Sequence, residues 1–263
     1  FERLLGRSGP DLFWNVDAGL PVAGNWCNMD DPSTPNVAEC QGTEFGLFQS
    51  STGKFFLDLN GNRELDAAEV PLDPFGQPGD TAVAGDFSDV TPADSSDDLD
   101  EIAVFDRRTG LWTIDLNRDF AVSVAVTDPI SGQPLPDDQI AIPFGKHGDV
   151  PIVGDWGGTG TSKIGVFRSR PKQSDAECQE AARVGKGCFV LDLNSNYQID
   201  PGEDFVFGQK DDQPLVGNFA VGVAGDEIGV YTGLTGEFRL DRNGNHVFDP
   251  GEKDSNGNQM EDF

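Results

Sequence analysis

The stretch FGKHGDVPIVGDWGGTGTSKIGVFR, residues 144–168, decides how this chain folds. It contains two short apolar runs, each bounded by glycine and other turn residues. Runs of this length that are rich in β-branched and aromatic residues are typical of strands, and they are too short for helices. The stretch therefore predicts two neighbouring β-strands joined by a turn.

The same pattern occurs four times along the chain. In each copy a first run closes on glycine and an aromatic residue, a second run follows, and a glycine-led third run comes next. In three copies a fourth run ends on phenylalanine and glycine. Four short strands per copy indicate an all-β, four-bladed β-propeller with four antiparallel strands per blade. The glycines that close the first run are Gly24, Gly85, Gly154 and Gly217.

One repeat is divided between the two ends of the sequence. Phenylalanine–glycine pairs stand at Phe75-Gly76, Phe144-Gly145 and Phe207-Gly208, and Leu4-Leu5-Gly6 is the candidate for the fourth pair. An N-terminal strand is therefore expected to complete the last blade, which removes an open sheet edge. We expect one domain, 1–263, with blades at 21–80, 81–149, 150–212, and 213–263 plus 1–10.

The charge of the chain is strongly negative. Asp and Glu number 46 against 18 Lys and Arg, a net charge of −28. Such a chain repels nucleic-acid phosphates and anionic membrane surfaces, so neither is an expected partner. No apolar run reaches the ~20 residues that a membrane-spanning helix needs, so no membrane insertion is expected. Either the acids are solvated at the surface or cations neutralise some of them.

The four cysteines fall into two pairs that are close in sequence. Cys27 stands near Cys40, and Cys178 near Cys188, each pair in a polar stretch between apolar runs. Two local disulfides are the favoured interpretation, with four free thiols as the alternative. Disulfides form in oxidising compartments, so the pairs predict an extracellular or cell-surface location. The chain begins at Phe1 without a signal peptide, which we interpret as a processed or trimmed form.

An acidic loop follows the third run in three of the repeats. Counted from its first aspartate, it has oxygen-bearing side chains at positions 1, 3, 5, 9 and 12, and a backbone carbonyl can serve at position 7. This ladder offers the roughly seven oxygens that Ca²⁺ takes. The alternative is a metal-free turn in which Asp and Asn bind their own backbone. The predicted ligands are Asp58, Asn60, Asn62, Glu64, Asp66 and Glu69 in repeat one, Asp192, Asn194, Asn196, Gln198, Asp200 and Glu203 in repeat three, and Asp241, Asn243, Asn245, Val247, Asp249 and Glu252 in repeat four.

Two further segments match this loop in part. Repeat two retains Asp115, Asn117 and Asp119 but has Ser123 and Val126 where the later acids stand, which predicts an empty or weak site. The C-terminal tail repeats positions 1, 3, 5 and 9 and is a candidate for a fourth calcium site, with a frayed acidic tail as the alternative. Its candidate ligands are Asp254, Asn256, Asn258 and Asp262.

The loops resemble the calcium loops of EF-hand and dockerin proteins, with one departure. Position 6, which is glycine in the EF-hand, is Arg63, Tyr197 or His246 here, and the flanking runs are strand-like. The whole repeat resembles the FG-GAP and VCBS-type repeats of extracellular β-propellers, and most closely the GDW…GVFR repeats of large bacterial surface proteins. That resemblance implies secretion, calcium-dependent rigidity and a role in adhesion or surface structure. The second acidic loop of many such repeats has lost its acids in residues 157–160, so that site is doubtful.

The sequence offers no catalytic constellation, so we expect a non-enzyme. His147 and His246 occupy repeat columns that vary freely, which predicts exposed loops, and Trp26 and Trp156 occupy the repeat anchor, which predicts core. The primary hypothesis is a calcium-binding subunit of a cell-surface filament or layer, associating head to tail, with possible exchange of the N-terminal strand. The alternative is a secreted adhesin or lectin-like module that binds a glycan or a cell-surface protein. A propeller-based hydrolase is a third, weaker hypothesis. The variable loops that would carry binding are 32–39, 88–98, 119–140 and 170–186.

Overall fold

The computed structural model describes residues 19–26, 43–59, 61, 74–87, 99–116, 120, 122, 139–219 and 222–247. These residues are predominantly β-strand, as the short apolar runs predict. No helix among them is long and apolar enough to cross a membrane. The described strands are β1 (Gly19–Gly24), β2 (Glu44–Gln49), β3 (Lys54–Leu57), β4 (Thr81–Gly85), β5 (Glu101–Asp106), β6 (Leu111–Ile114), β7 (Gln139–Pro143), β8 (Val150–Gly154), β9 (Lys163–Arg168), β10 (Lys186–Leu191), β11 (Asp204–Gln209), β12 (Gln213–Gly217), β13 (Glu227–Thr232) and β14 (Glu237–Leu240).

The strands form four antiparallel sheets, each from one repeat. Sheet one is β1-β2-β3, sheet two β4-β5-β6-β7, sheet three β8-β9-β10-β11 and sheet four β12-β13-β14, so every strand pairs with its neighbour in sequence. The all-β class and the four sheets are thereby confirmed. The described residues supply four strands to sheets two and three, and three strands to sheets one and four.

Consecutive sheets are joined along their first strands. β4 contacts both β1 and β8, and β8 also contacts β12. The residue before the second strand of one sheet donates its backbone N–H to the loop after the first strand of the preceding sheet. These bonds run from Asp100 to the Asn25 carbonyl (2.6 Å), from Ser162 to Asp86 (2.5 Å) and from Asp226 to Asp155 (2.8 Å).

A closed propeller would also join sheet four to sheet one. The residues in the equivalent positions are Asn218 and Thr43, and within the described part of the chain they share no hydrogen bond. The N-terminal strand around Leu4-Leu5-Gly6, predicted to complete the last blade, lies outside the described residues. The closed four-bladed ring therefore stays a prediction.

Apolar side chains fill the space between consecutive sheets and make three cores. Trp26 and Trp156 are 3% and 8% exposed, so their predicted core positions are confirmed. Each core takes residues from the second and third strands of one sheet and from the facing strand of the next. The largest side chains that are almost fully buried are Trp112, Phe48, Phe55, Phe105, Phe144, Phe167, Phe189 and Phe207.

The connection between β9 and β10 carries the helical structure described in this protein. A 3-10 turn (Ala176–Cys178) leads into helix α1 (Gln179–Val184), which ends at Gly185 in the left-handed conformation, φ 71°. Glycine adopts this conformation without steric cost, which suits a helix C-terminus. A disulfide joins Cys178 to Cys188 on β10 with a Cα–Cα distance of 6.0 Å, so this predicted pair is confirmed. Cys27 and Cys40 lie outside the described residues.

Candidate metal centre

Each sheet presents an aspartate at the end of its third strand, where the acidic loop begins. All four carboxylates are almost completely buried, at no more than 1% exposure. Each aspartate also donates its backbone N–H to a carbonyl of the second strand, at 2.9 to 3.1 Å. The backbone hydrogen bonds of the hairpin thus extend to the first loop residue and hold it in the protein interior. The chain leaves the hairpin only after this residue. These residues are Asp58, Asp115, Asp192 and Asp241.

The loop between β10 and β11 is described over its whole length, from Asp192 to Glu203. The Asp192 carboxylate accepts the backbone N–H groups of Asn196 (3.2 Å) and Tyr197 (3.1 Å). Burial raises the pKa of Asp192, and these hydrogen bonds oppose the rise. The first aspartate therefore organises the turn and keeps its oxygens on the inner side of the loop.

The middle of the loop brings positions 3, 5 and 9 together. The side-chain amides of Asn194 and Asn196 both donate to Oδ2 of Asp200, at 2.9 and 2.8 Å. These two bonds lower the pKa of Asp200. The oxygen of Asn196 accepts the backbone N–H of Gln198 at 2.7 Å. Three of the predicted ligands are thus within hydrogen-bond distance of one another.

Glu203, at position 12, ties the two ends of the loop. Its Oε1 accepts the backbone N–H of Leu193 (3.0 Å), and its Oε2 accepts that of Asp200 (2.8 Å). Its own carbonyl accepts the N–H of Leu191 at 2.9 Å. Both carboxylate oxygens of Glu203 therefore face the loop interior, and the side chain is only 4% exposed.

Asn194, Asn196 and Asp200 bind one another through side-chain hydrogen bonds, whereas the carboxylates of Asp192 and Glu203 bind backbone N–H groups. Among the described residues there is no group of three or more His, Cys, Asp or Glu side chains placed to hold a metal ion. In this loop the amide nitrogens, not the oxygens, of Asn194 and Asn196 face Asp200. A carboxamide exchanges its donor for its acceptor when its terminal group turns over. Turning both amides would give a cation the oxygen ligands it needs, at the loss of the two bonds to Asp200 and of the backbone N–H bonds that the two amide oxygens accept from Asn196 and Gln198.

The loop after β14 has the same local structure as far as Val247. Asp241 accepts the backbone N–H groups of Gly244 (2.9 Å) and His246 (2.6 Å). Asn243 and Asn245 accept the N–H groups two residues further along the chain, at 2.9 and 2.7 Å. Although burial opposes it, these bonds and the His246 ring lower the pKa of Asp241. Asp249 and Glu252 lie outside the described residues.

Position 6 of the loop is a packing residue, which explains the departure from the EF-hand glycine. Phe120, Tyr197 and His246 all have left-handed backbones, with φ of 56°, 60° and 61°. Such φ values are uncommon for residues other than glycine. Phe120 packs on the core between sheets one and two, and Tyr197 on the core between sheets two and three. The His246 ring lies 4.6 Å from the ring of Phe205 in sheet three.

His246 lies in a surface loop between the exposed residues Asn245 and Val247, as predicted, but its own side chain packs inward. Its side chain is 13% exposed and also lies 3.2 Å from the Asp241 carboxylate. Its column varies between repeats because side chains of different types can anchor a loop on the preceding sheet. His147 is exposed, as expected.

The remaining predicted ligands are described in part or not at all. Asp58 and Asp115 begin their loops as buried carboxylates, and Phe120 donates its N–H to Asp115 at 2.9 Å. The other predicted calcium-loop residues that lie outside the described part of the chain are Asn60, Asn62, Glu64, Asp66, Glu69, Asn117, Asp119, Ser123, Val126, Asp254, Asn256, Asn258 and Asp262.

The loop after β8 is organised by one aspartate. Asp155 accepts the backbone N–H groups of Gly157 (3.3 Å), Thr159 (3.0 Å) and Gly160 (2.7 Å). Although burial opposes it, these bonds lower the pKa of Asp155. The backbone amides supply the positive charge that the carboxylate needs, so this turn is complete without further acids.

A second set of buried aspartates stands five residues before the first-run glycines, and the sequence analysis missed it. Asp80, Asp149 and Asp212 each accept the backbone N–H of the residue three positions earlier, at 2.7 to 2.9 Å. Asp149 also binds Arg168 through both oxygens, at 2.8 Å each. Thr232 donates its hydroxyl to Asp212 at 2.7 Å. Their fixed spacing from the glycine anchor was the signal that could have revealed them.

Comparison with known proteins identifies no relative. No protein-family model, no curated protein sequence and no solved structure matches this chain.

Proposed function

We propose that this protein is a calcium-binding extracellular structural module, a repeating subunit of a cell-surface filament or layer. The observation that carries the proposal is the loop from Asp192 to Glu203. Side chains at positions 1, 3, 5, 9 and 12 of that loop all carry the oxygen atoms that Ca²⁺ prefers, and those at positions 3, 5 and 9 are hydrogen-bonded to one another.

Each loop residue has a definite role in this proposal. Asp192 and Glu203 are fixed by backbone N–H groups and provide carboxylate oxygens from the two ends of the loop. Asp200 provides a third carboxylate, and Asn194 and Asn196 provide amide oxygens once their terminal groups turn. A bound Ca²⁺ would neutralise these acids and lock the β10–β11 connection.

The other acidic loops extend this role to the rest of the protein. Each of these loops follows the third strand of its sheet, so each begins at the same end of its sheet. Loops one and four have the same ligand types at the same positions. The chain has a net charge of −28, so few basic side chains are available to offset the acids of these loops. The acids therefore repel each other, and bound cations would relieve that repulsion.

The extracellular location is supported by the disulfide between Cys178 and Cys188, because disulfides persist in oxidising compartments. Head-to-tail association is supported by β14. Within the described residues the outer edge of β14 has no strand partner, and an unpaired edge accepts a strand from elsewhere in the chain or from a neighbouring subunit.

The experiment that tests calcium binding is a titration of the chelated protein with Ca²⁺, followed by calorimetry and by thermal unfolding. Because a ligand that binds only the folded state stabilises it by mass action, Ca²⁺ should raise the melting temperature and chelation should reverse the change. Glu203→Gln should lose one binding event. Glu180→Gln is the matched control, because Glu180 is exposed, pairs with Arg183 on helix α1 and belongs to no acidic loop. If Ca²⁺ added to the chelated protein releases no more heat than Ca²⁺ added to buffer without protein, the proposal is rejected.

A second candidate, an adhesin that binds an anionic glycan, is favoured by one observation. Basic side chains are scarce in this protein, yet several line two adjoining open grooves beside the disulfide-linked connection, with volumes of about 200 and 410 Å³. Three of them are ion-paired: Lys146 with Asp175 and Glu177, Arg168 with Asp149 and Glu177, and Arg170 with Asp211. The basic lining residues are Lys146, Arg168, Arg170, Lys172, Lys186 and Lys210.

A binding measurement with a sulfated and a neutral polysaccharide tests this candidate. Lys172→Glu with Lys210→Glu should abolish binding of the sulfated chain at low salt. Lys54→Glu, in sheet one, is the matched control because it changes the net charge in the same direction away from the grooves. If the two variants lose binding equally, the grooves are not the site.

A further inference from the structure

Sheets one, two and three each contain three aromatic residues in contact. The first two belong to the second and third strands, and their ring centroids lie 4.8, 5.1 and 4.7 Å apart in Phe48–Phe55, Phe105–Trp112 and Phe167–Phe189. The third is the phenylalanine of the phenylalanine–glycine pair. Its ring lies 6.2 Å from Phe55 in sheet one and 6.1 Å from Phe189 in sheet three. In sheet two the Trp112 indole N–H donates to the Phe144 carbonyl at 2.8 Å.

Sheet four has the first two aromatic residues, and the described chain gives it no third. Tyr231 and Phe238 are paired at 4.9 Å, as in the other sheets. Phe238 is 50% exposed, however, whereas Phe55, Trp112 and Phe189 are 0% exposed. Half of an aromatic side chain is thus uncovered at the position where the other sheets place a third ring.

The hairpin turn of sheet four shows a second uncovered position of the same kind. Gly53, Gly110 and Gly236 occupy the same place in the turn between the second and third strands, with φ of 75°, 81° and 75°. A Cβ on Gly53 would clash with the backbone of Gly76, and one on Gly110 would clash with the backbone of Gly145. No described atom lies within 4 Å of the same point on Gly236. Close approach of another chain segment is one of the reasons for which a glycine is required at such a position.

The spacing of the chain identifies a segment that fits both positions. In three repeats the buried phenylalanine stands ten residues before the glycine that closes the first run: Phe75 before Gly85, Phe144 before Gly154 and Phe207 before Gly217. The fourth such glycine is Gly24, and the residue ten positions before it is Trp14. The residues leading to Trp14 read DLFW, and those leading to Phe207 read DFVF.

We propose that Asp11–Trp14 is the fourth strand of sheet four and that Trp14 packs on Phe238. This assignment replaces Leu4-Leu5-Gly6, whose glycine stands eighteen residues before Gly24 and not nine, as Gly208 stands before Gly217. It deepens the proposed head-to-tail association by naming the strand. The assignment itself does not depend on that association. Only the question of which molecule donates the strand rests on it.

The pairing in sheet three gives the register. There Cys188 lies opposite Val206, Phe189 opposite Phe205 and Val190 opposite Asp204. The same offsets in sheet four put Glu237 opposite Phe13, Phe238 opposite Leu12, and Arg239 opposite Asp11. An arginine facing an aspartate across neighbouring strands favours this register.

The segment departs from the repeat at two places. Asn15 stands where the other repeats have Gly76, Gly145 and Gly208, and asparagine tolerates the left-handed conformation better than most residues. Gly19 stands where the others have a buried aspartate, so the turn after this strand lacks a carboxylate cap. The strand is therefore held by aromatic packing and edge pairing more than by its turn.

Disulfide trapping tests the assignment, because two cysteines bridge only when their Cα atoms lie within about 7 Å. Phe13→Cys with Glu237→Cys should form a bond under mild oxidation, identified by mass spectrometry of the linked peptides. Glu237 is replaceable because its side chain is 57% exposed. Leu4→Cys with Glu237→Cys is the matched control, because Leu4 would lie opposite Glu237 if Leu4-Leu5-Gly6 were the fourth strand, and this pair should not cross-link. A bond in the control pair, with none in the first pair, would overturn the assignment.

The same experiment separates this inference from the proposed function. A bond that joins positions 13 and 237 of different molecules supports both, and it appears as a ladder of oligomers on a denaturing gel. A bond confined to monomers supports the assignment and removes strand exchange from the proposed function. An oligomer ladder from the control pair alone removes the assignment and leaves strand exchange.

Thermal unfolding provides a readout that does not depend on cross-linking. If Trp14 covers Phe238, Trp14→Ala and Phe238→Ala should each lower the melting temperature, and the double variant should melt at about the temperature of the worse single variant. Trp14→Phe should restore most of the loss. Additive shifts in the double variant would show that the two side chains do not touch.

Discussion

Sheets three and four are built from the same repeat, yet their third strands have very different surroundings. In sheet three β10 lies between β9 and β11, and its residues from Gly187 to Leu191 are all buried. In sheet four β14 pairs only with β13 among the described strands, and none of its residues is buried. Leu234, at the tip of the β13–β14 hairpin, is 99% exposed.

This difference shows which parts of the molecule bury the third strand. Sheet three has a fourth strand whose Phe207 covers Phe189, and sheet four has no such strand in the described chain. Helix α1 also packs on β10, whereas β13 and β14 are joined by a short turn. Burial of β10 therefore comes from the fourth strand and from helix α1, and the described part of sheet four has neither.

The largest effects should come from the equivalent phenylalanines of the two sheets. Phe189→Ala should cost about 3–5 kcal/mol of unfolding free energy, because it empties a fully buried site. Phe238→Ala should cost a similar amount if Asp11–Trp14 covers the ring, as we propose. Urea unfolding of both variants is the measurement. A cost of only about 1–2 kcal/mol for Phe238→Ala would mean that half of its ring stays in water and would contradict the assignment.

The second effect concerns the buried acids that precede the first strands of the two sheets. In sheet three Arg168 binds Asp149 through two hydrogen bonds and Glu177 through a third. Arg168→Ala leaves buried acids without a counter-charge, so we expect a loss of about 3–4 kcal/mol. In sheet four the equivalent residue is Thr232, which gives Asp212 a single hydroxyl.

Thr232→Ala should therefore cost only about 1 kcal/mol, the typical contribution of one neutral hydrogen bond. Denaturant unfolding of the two alanine variants, each compared with the parent protein, provides the measurement. A loss for Thr232→Ala as large as that for Arg168→Ala would show that Asp212 depends on the hydroxyl more than its second partner, Arg239, suggests.

A third, smaller effect should come from the hairpin glycines. Gly110→Ala and Gly236→Ala both place a side chain at a left-handed position, which costs about 1 kcal/mol. Gly110→Ala also pushes Cβ against the backbone of Gly145, which adds to its cost. Gly236→Ala should carry a similar added cost if the proposed strand lies beside Gly236. Melting temperatures of the two variants are the measurement. A clearly smaller shift for Gly236→Ala would mean that no chain segment lies there.

Sequence periodicity predicted the strands well, because the glycine and aromatic anchors recur in every repeat. It located β9 and the buried acid Asp192 from the repeat alone. Helix α1 could not be predicted in this way, since residues 170–186 have no counterpart in the other repeats. The ion pair between Asp149 and Arg168 was also not predicted. Asp149 lies in the turn before β8 and Arg168 at the end of β9, and only the folded sheet brings the two side chains together.

Spacing carried more information than residue type in two places. A leucine–glycine pair near the N-terminus matches the repeat in composition, but only the distance to Gly24 fixes the register, and it points to Trp14. Position 6 of the acidic loops varies in residue type, yet Tyr197 and His246 keep one backbone conformation, and Tyr197 packs on the core between sheets two and three while His246 packs on sheet three. The type varies because each loop meets a different neighbouring surface.

The smallest expected effect concerns the acid sensitivity of sheet three. Although burial opposes it, hydrogen bonds from Lys146 and Arg168 lower the pKa of Glu177 to about 2 in the folded protein. The folded-state pKa lies below the ordinary value, so this acid stabilises the fold above about pH 4.5, and that stabilisation is lost as the pH falls toward 2. Unfolding free energies between pH 6 and pH 3 should therefore fall less steeply in Glu177→Gln than in the parent protein. Parallel curves for the two proteins would show that the ion pairs around Arg168 are not maintained in solution.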